Sequence, residues 1–375
     1  MIGLSGGLIR LGHRVFAYGH GDPERGGSEE VLRRAKGLGI EVPDLRHGRA
    51  TAATVKRRLL ASLASNDDGL DVVLVHGMFR GFSRPVARAS SRSGVPCIAC
   101  PHDPYSPALF GTRRVLKRAY WRLFEGPFLR SVRAVHVLAP SHIRYLKELG
   151  VSVPTFVVPN GLDAEQLEAA NRTAVDHGPA DFSPEKGRDR CVLYLGRLDV
   201  YNKGLDLLLQ ALAEDREAPS GVRLQIAGRG SERDRLQLLE LISSLQLDDR
   251  VSVVGFVSDA RSAMRAADLV VLPSRFDGFG QVVIETLAVG TPVVVSSKAG
   301  ASEYFDREHG VVVADPGPVS LARALRSALA SQQELRSAAL ACRSYLSSQF
   351  TWDVLARRWI EEVKKLGIVS EGGRR

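Results

Sequence analysis

Cysteine is scarce in this sequence. Four cysteines occur in 375 residues, and two of them, Cys97 and Cys100, stand three positions apart. So few cysteines exclude the disulfide framework of a small secreted domain. The pair is compatible with redox or metal chemistry, but it lies in the apolar run 95–100, where positions i and i+3 of a strand point to opposite faces. Because no second Cys or His pair offers ligands at zinc spacing, we expect packing and predict no metal site.

Long apolar runs and low-complexity segments are also lacking. No run approaches the roughly 20 apolar residues that cross a bilayer, and the first residues lack a basic region followed by a long apolar stretch. The composition, 44% hydrophobic and 25% charged, is that of an ordinary globular protein. We therefore expect a folded cytoplasmic protein. A chain of 375 residues exceeds one typical core, which predicts two domains with a cleft between them.

Positive charge is unevenly distributed. Residues 1–160 hold 24 Lys and Arg against 12 Asp and Glu, whereas the remainder holds 27 against 30. Much of the excess lies at 56–58 and at 113–122, a helix-like stretch with aromatic residues among its cations. It is a solvated face, a patch for anionic lipid or a phosphate-bearing acceptor, or a nucleic-acid surface. No nucleic-acid recognition motif accompanies it, so we expect no nucleic-acid partner.

Short β-branched runs alternate with helix-length segments along most of the chain. Such continuous apolar runs are typical of parallel strands covered on both faces by crossover helices. The pattern predicts two doubly wound α/β sheets. The first series of runs occupies residues 72–75, 134–138 and 155–158, and the second occupies 191–195, 223–227, 251–254, 269–272, 292–295 and 311–313.

A polar stretch separates the two series. Residues 164–190 are rich in Gly, Pro and charged side chains, which predicts a linker. After Thr351, residues 352–360 repeat apolar side chains at helical spacing and predict an amphipathic final helix. The expected domains are therefore 1–160, 161–350 and a closing segment 351–370.

The loop after residue 195 is the first candidate site. It contains Gly196, Arg197 and Lys203. Ligands of doubly wound sheets bind outside the carboxyl ends of the strands, and a small residue there lets the backbone approach a bound group. Arg197 as a planar fork and Lys203 as a point charge can neutralise a diphosphate. The alternative is two solvated surface cations.

The segment 272–288 is the second candidate site. A strand runs into a turn containing Asp277, Gly278, Phe279 and Gly280, and a helix carrying Glu285 leaves it. Backbone amides at the start of such a helix favour an anionic ligand. The two carboxylates can face one cleft and accept hydrogen bonds from sugar and ribose hydroxyls, although isolated acids on helices are usually solvated.

These motifs resemble those of the family-four retaining glycosyltransferases, also called glycosyl transferases group 1. The resemblance covers nearly the whole chain and implies the GT-B architecture, two facing Rossmann-like domains. Its stretches are Gly196-Arg197-Leu198 with Lys203-Gly204, residues 226–230, 267–274 and 276–292, residues 158–163 at the expected domain crossing, and Pro101-His102 after a strand.

The resemblance implies an activity and its partners. A sugar would pass from a nucleoside-diphosphate sugar to an acceptor hydroxyl with retention at the anomeric carbon and without a required metal. The acceptor would be a glycan or a lipid-linked molecule, as in glycolipid, polysaccharide or cell-envelope glycan synthesis. The basic stretch 113–122 would then contact anionic membrane at the inner face.

The resemblance also implies roles for single residues. Arg197 and Lys203 would hold the diphosphate and stabilise the charge that develops as it leaves. Glu285 would bind ribose, and Asp277 with the amides of 278–280 would bind the donor sugar. The members of the site outside these loops are Phe256 and Val257, which would border the base, and His102, which would lie near the transferring sugar unless it is only a packed histidine.

The sequence departs from the family in two ways. Asp277 stands where the family usually has Glu, one methylene longer. The family also begins with a strand and a glycine-rich loop, whereas residues 1–11 match the following helix and 12–18 match its end and the second strand. Gly6 and Gly7 are therefore not the phosphate loop. A misassigned start, a truncated fragment and a weakened enzyme or non-catalytic binding protein are the alternatives.

Overall fold

The computed structural model describes residues 2–18, 28–41, 52–65, 69–79, 81–102, 105–106, 114–172, 190–214 and 222–369. The chain forms two compact units: unit 1 is Met1–Gly161 with Thr351–Arg375, and unit 2 is Leu162–Phe350. All strand pairs in the two sheets are parallel. The predicted class, α/β with two parallel sheets, is confirmed.

Unit 1 contains a four-stranded sheet in the order β1-β2-β3-β4. Within the described ranges, no helix is both long and apolar enough to cross a bilayer. The elements up to residue 161 are α1 (Ile2–Arg10), α2 (Ser28–Gly37), α3 (Ala52–Ser65), β1 (Val73–His76), α4 (Ser83–Arg92), β2 (Cys97–Cys100), α5 (Arg114–Tyr120), a π-helical turn (Trp121–Glu125), α6 (Gly126–Ser131), β3 (Ala134–Val137), α7 (Ser141–Glu148) and β4 (Thr155–Val157).

Strand β2 shows why this sheet has two buried faces. All four of its residues are buried. Cys97 and Ala99 join one apolar cluster, and Ile98 joins another on the opposite face. The expected alternation along residues 97–100 is confirmed, and it leaves Cys97 and Cys100 on different faces of the sheet.

Unit 2 contains a six-stranded sheet in the order β10-β9-β8-β5-β6-β7. This is the strand order of a doubly wound nucleotide-binding domain. Its elements are α8 (Ala164–Arg172), β5 (Arg190–Leu195), α9 (Leu205–Glu214), β6 (Val222–Ala227), α10 (Glu232–Ser244), β7 (Val251–Gly255), α11 (Ala260–Ala266), β8 (Leu269–Leu272), α12 (Gln281–Ala288), β9 (Val293–Ser296), β10 (Val311–Ala314), α13 (Pro318–Ala330) and α14 (Gln332–Gln349), with 3₁₀ turns at Gly300–Glu303 and Arg307–His309.

The predicted linker 164–190 is wrong over its first nine residues, which form α8. The segment Ala164–Arg172 is rich in Ala, Glu and Gln, residues of high helix propensity. Its Leu167 is 7% exposed, so the helix also buries an apolar side chain. The helix was missed because the segment was judged by its polarity alone. The rest of the predicted linker, residues 173–189, lies outside the described residues.

Helix α15 (Trp352–Lys365) returns to unit 1 and packs against α1. Leu355, Trp359 and Val363 join Ile98 and Phe156 in one apolar cluster. The observed helix includes the predicted residues 352–360 and continues five residues further.

The first described element is a helix, as predicted for residues 1–11, and Gly6 and Gly7 lie inside it. A Cβ added at Gly7 would lie 2.4 Å from the carbonyl oxygen of Trp352, so the glycine lets the two helices approach closely. The strand predicted at 12–18 is reduced to an isolated bridge between Phe16 and Glu41.

We predict that Gly7→Ala lowers the free energy of unfolding by about 1–3 kcal/mol, because the new methyl meets backbone atoms that cannot rotate away. The control is Gly37→Ala at the end of α2, where a Cβ has open space. Urea unfolding of both variants is the measurement. Equal effects of the two substitutions would contradict the packing argument.

Candidate functional site

The candidate site in unit 2 lies where the direction of strand order reverses. From β5 the chain proceeds to β6 and β7 on one side, and β8, β9 and β10 occupy the other side. Strands β5 and β8 are neighbours, so the loops that follow Leu195 and Leu272 leave the same edge side by side. Doubly wound sheets bind ligands at this position.

The loop after β5 is held by its own polar groups. The Tyr194 hydroxyl donates to the Arg197 carbonyl at 2.7 Å, and the Asp199 carboxylate accepts from the backbone N–H and the side-chain amide of Asn202 at 3.0 and 2.9 Å. Burial, followed by the charge of Asp277, raises the pKa of Tyr194, which keeps it a donor. The Arg197 side chain remains 66% exposed, with Nη2 3.5 Å from an Asp199 oxygen.

Lys203 and Asp277 join the two loops. Lys203 Nζ lies 2.5 Å from Asp277 Oδ2, and the two side chains are only 20% and 17% exposed. The other carboxylate oxygen accepts from the Phe279 N–H at 3.3 Å. The Asp277 N–H donates to the Lys298 carbonyl at 3.2 Å, so the loop after β9 supports the same carboxylate. A fixed lysine and a fixed carboxylate therefore share one edge of the sheet.

Two glycines permit this convergence of loops. Gly204 has φ +68°, and a Cβ there would lie 2.2 Å from the Pro273 carbonyl oxygen. Gly228 has φ +149°, and a Cβ would lie 1.7 Å from the Gly196 carbonyl oxygen. Since the loops after β5, β6 and β8 meet through these contacts, only glycine fits both positions.

The turn that begins α12 presents mainly backbone groups to a ligand. Gly280 adopts φ +86° and precedes the helix without a side-chain cap. Phe279 is 3% exposed, its ring meeting Tyr304 edge-on. Gly278 is also buried, and Glu285 lies partly buried in the second turn of α12. The side chain of Phe279 thus contributes to packing, and its backbone N–H donates a hydrogen bond to the Asp277 carboxylate.

Phe256 follows β7 at the far side of the same edge. Its ring is 59% exposed, and the Arg229 guanidinium lies over it at 3.8 Å from the centroid. Val257 is 9% exposed and packs inward. An exposed aromatic face backed by a cation is suited to stacking on a planar ligand.

Sequence reasoning missed two cations of this edge. Arg229 lies in the stretch 226–230 that carries part of the resemblance, but its stacking on Phe256 was not predicted. Arg275 makes two hydrogen bonds to Asp206 at 2.6 and 2.7 Å and a third to the Tyr201 carbonyl at 2.7 Å. Its place three residues after a predicted strand was the available signal.

His102 belongs to unit 1 and lies in a histidine and cysteine cluster. Its Nε2 is 2.8 Å from His76 Nδ1 and 3.9 Å from Cys100 Sγ. Its φ of +60° is unusual for a residue with a side chain. Burial lowers the pKa of His102 to about 4 and that of His136 to about 4, and it raises the pKa of Cys100 to about 12. Burial also lowers the pKa of His76. All four groups are therefore neutral near pH 7.

The structure thus gathers the predicted residues of unit 2 at the carboxyl edge of one sheet and leaves His102 in the other unit. The residues brought together after neighbouring strands are Gly196, Arg197, Lys203, Phe256, Val257, Asp277, Gly278, Phe279 and Gly280, with Glu285 on α12.

Solved structures with the same fold include Anabaena HepE in complex with UDP-glucose and a sucrose-phosphate synthase from Thermosynechococcus elongatus. HepE superposes with a TM-score of 0.72 at 20% identity and covers 97% of this chain and 94% of its own. The synthase superposes with a TM-score of 0.67 at 20% identity, and the match covers 97% of this chain and 92% of the synthase. The fold is therefore GT-B.

Family models match both halves of the chain. "Glycosyltransferase Family 4" matches residues 1–166, and "Glycosyl transferases group 1" matches residues 189–331. A phosphatidyl-myo-inositol mannosyltransferase from Mycobacterium leprae is 34% identical over 284 residues, which is 68% of this chain and 70% of the relative. The chain belongs to glycosyltransferase family 4.

Other relatives are covered less completely. A glycogen synthase from Mycobacterium tuberculosis is 32% identical over 203 residues, 53% of this chain and 46% of the relative. The chain thus spans a little under half the length of the first curated relatives that it matches.

We predict that Arg275→Lys lowers the free energy of unfolding by about 1–3 kcal/mol, because an ammonium group cannot replace the two parallel bonds to Asp206. Arg233→Lys on the exposed surface of α10 is the matched control and should change little. Denaturant unfolding of the two variants is the measurement, and equal midpoints would contradict the prediction.

Proposed function

We propose that the chain transfers a sugar from a nucleoside-diphosphate sugar to an acceptor hydroxyl with retention at the anomeric carbon. The observation that carries the proposal is the Lys203–Asp277 pair, 2.5 Å apart at the switch point, with Arg197 exposed in the same loop as Lys203. Cations for a diphosphate and a carboxylate for hydroxyls then stand within one site.

Arg197 and Lys203 bind the diphosphate in this proposal. Lys203 carries three N–H donors. One donates a hydrogen bond to Asp277, so two can donate to phosphate oxygens. Negative charge grows on the diphosphate as the anomeric bond breaks, and both cations then interact more strongly with the transition state than with the bound donor.

The remaining residues bind the other parts of the donor. Asp277 and the amides of 278–280 bind the sugar, Glu285 binds the ribose hydroxyls, and Phe256 with Val257 borders the base. The exposed Phe256 ring supports the last assignment. Asp277 is held by Lys203 and by the Phe279 N–H, so its shorter side chain is compensated by a fixed position.

The proposed reaction breaks the bond from the anomeric carbon to the diphosphate and forms one to the acceptor oxygen on the same face. The acceptor proton leaves with the diphosphate. Arg197 and Lys203 provide the charge neutralisation, so the transfer requires no metal ion and should persist in chelator. His102 of unit 1 has an uncharged ring, which can donate or accept a hydrogen bond with a substrate hydroxyl.

A second candidate function is nucleotide-sugar binding without transfer. It is favoured by the departure at Asp277, whose shorter carboxylate is already paired with Lys203. Mass spectrometry of reactions with a panel of nucleotide sugars and acceptors separates the two functions. Donor binding without any product would support this second candidate.

We predict that a UDP- or GDP-sugar raises the melting temperature of the chain. At a ligand concentration of one hundred times Kd, binding adds about 2.7 kcal/mol to the free energy of unfolding. Arg197→Ala and Lys203→Ala should abolish this shift because they remove the phosphate ligands. Arg233→Ala, an exposed cation on α10, is the control and should keep it. The absence of a shift with every nucleotide sugar would contradict the proposal.

The acceptor is proposed to be a glycan or a lipid-linked molecule at the membrane. The helix from Arg114 to Glu125 mixes exposed apolar side chains with the basic residues. Val115 is 85% exposed, Leu116 65%, Leu123 60% and Phe124 48%. Apolar and cationic groups on one exposed helical segment favour an anionic bilayer surface. The name of the Mycobacterium leprae relative, a mannosyltransferase for a phospholipid, is consistent with this acceptor class.

We predict that Arg118→Glu combined with Arg122→Glu lowers binding to anionic liposomes at least tenfold, because each cation near such a surface contributes about 1 kcal/mol. The control is Arg357→Glu with Arg358→Glu, a pair on α15 that is also exposed. Co-sedimentation is the measurement. Equal losses for both pairs, or none, would contradict contact through this segment.

A further inference from the structure

Three metal-ligating side chains meet at the carboxyl edge of the sheet in unit 1. His76 ends β1, Cys100 ends β2, and His102 follows two residues later. The register pairs His76 directly with Cys100, so the sheet itself places two of the three side by side. One ligand atom from each residue lies within 4.8 Å of the other two.

These side chains line a small cavity of about 10 Å³, which is room for one water-sized particle. A single ion fits this volume. The lining includes the side chains of His76, Cys100, His102 and His136.

His136 is oriented as a ligating histidine is. Its Nε2 lies 2.8 Å from the Val158 carbonyl oxygen, so that nitrogen carries the proton and donates it. Its Nδ1 then presents a lone pair 3.4 Å from Cys100 Sγ. An outer N–H held by a backbone carbonyl is the usual arrangement behind a metal-bound imidazole.

We propose that His76, Cys100 and His102 bind one zinc-class transition-metal ion in this cavity, with His136 or a water molecule as the fourth ligand. Imidazole and thiolate ligands select zinc-like ions over magnesium and calcium, which require oxygen. The thiol releases its proton to solvent when the sulfur binds the ion.

The observed distances are close to those of a tetrahedral site. Two nitrogens on one zinc lie roughly 3.3 Å apart, given bonds of about 2.0–2.1 Å, and His76 Nδ1 and His102 Nε2 are 2.8 Å apart. A sulfur and a nitrogen on zinc lie roughly 3.6 Å apart, and Cys100 Sγ and His102 Nε2 are 3.9 Å apart. Small rotations of the side chains complete the geometry.

A bound ion would join the ends of β1 and β2 and fix the His102 ring. The ion is proposed to bind residues of unit 1, whereas the residues proposed to hold the nucleoside diphosphate lie in unit 2, so metal binding and nucleotide binding are measured at separate sites. A failure of one proposal is therefore distinguishable from a failure of the other.

The test uses the full chain without a histidine tag, reduced and freed of metal, and titrated with Co²⁺. We expect visible d–d bands and a near-ultraviolet thiolate-to-cobalt charge-transfer band that saturate at one ion per chain, and we expect Zn²⁺ to remove them. Mg²⁺ should have no effect. Zn²⁺ should also raise the melting temperature of the wild type.

Cys100→Ala should abolish the charge-transfer band. The matched control is Cys97→Ala, which makes the same change at a buried cysteine of the same strand on its other face. His76→Phe is a second variant, since it keeps a ring against His102, 5.0 Å away in the stacked pair, and removes the nitrogens. Absence of the band in the wild type, or its persistence in Cys100→Ala, would overturn the proposal.

Discussion

Parallel pairing of strands is the constraint on which the rest of this structure depends. Every strand of a parallel sheet ends at the same edge, so residues far apart in sequence meet there. In unit 2 this brings Lys203 to Asp277, 74 positions away. In unit 1 it brings His76 to Cys100 by register. Both candidate sites are consequences of one topological rule applied twice.

The two donor-site cations have different physical characters. Lys203 is largely buried and held by Asp277, so it is oriented before any ligand arrives. Arg197 is two-thirds exposed and loses side-chain freedom when it engages a ligand. Lys203 is therefore suited to preorganised stabilisation of developing charge, and Arg197 to first capture of a diphosphate by its planar fork.

Much of this fold follows from local sequence. The apolar runs after residues 190 and 268 are uninterrupted enough to specify buried parallel strands, and the loops after them contain the candidate residues. Pairings between distant side chains could not be predicted, because spacing along the chain does not report register. For that reason Cys100 read as a packing residue, although three histidines surround it. Helix α8 was missed because polarity outweighed its helix propensity.

Unit 1 consists of two separate stretches of chain, whereas unit 2 is continuous. On the ribosome, all of unit 2 is therefore made before α15 exists. Until then Leu4, Ile98 and Phe156 lack the apolar surface of Leu355, Trp359 and Val363 that covers them in the finished molecule. The core of unit 1 is therefore complete only after α15 has been made, whereas the chain of unit 2 is already complete at Phe350.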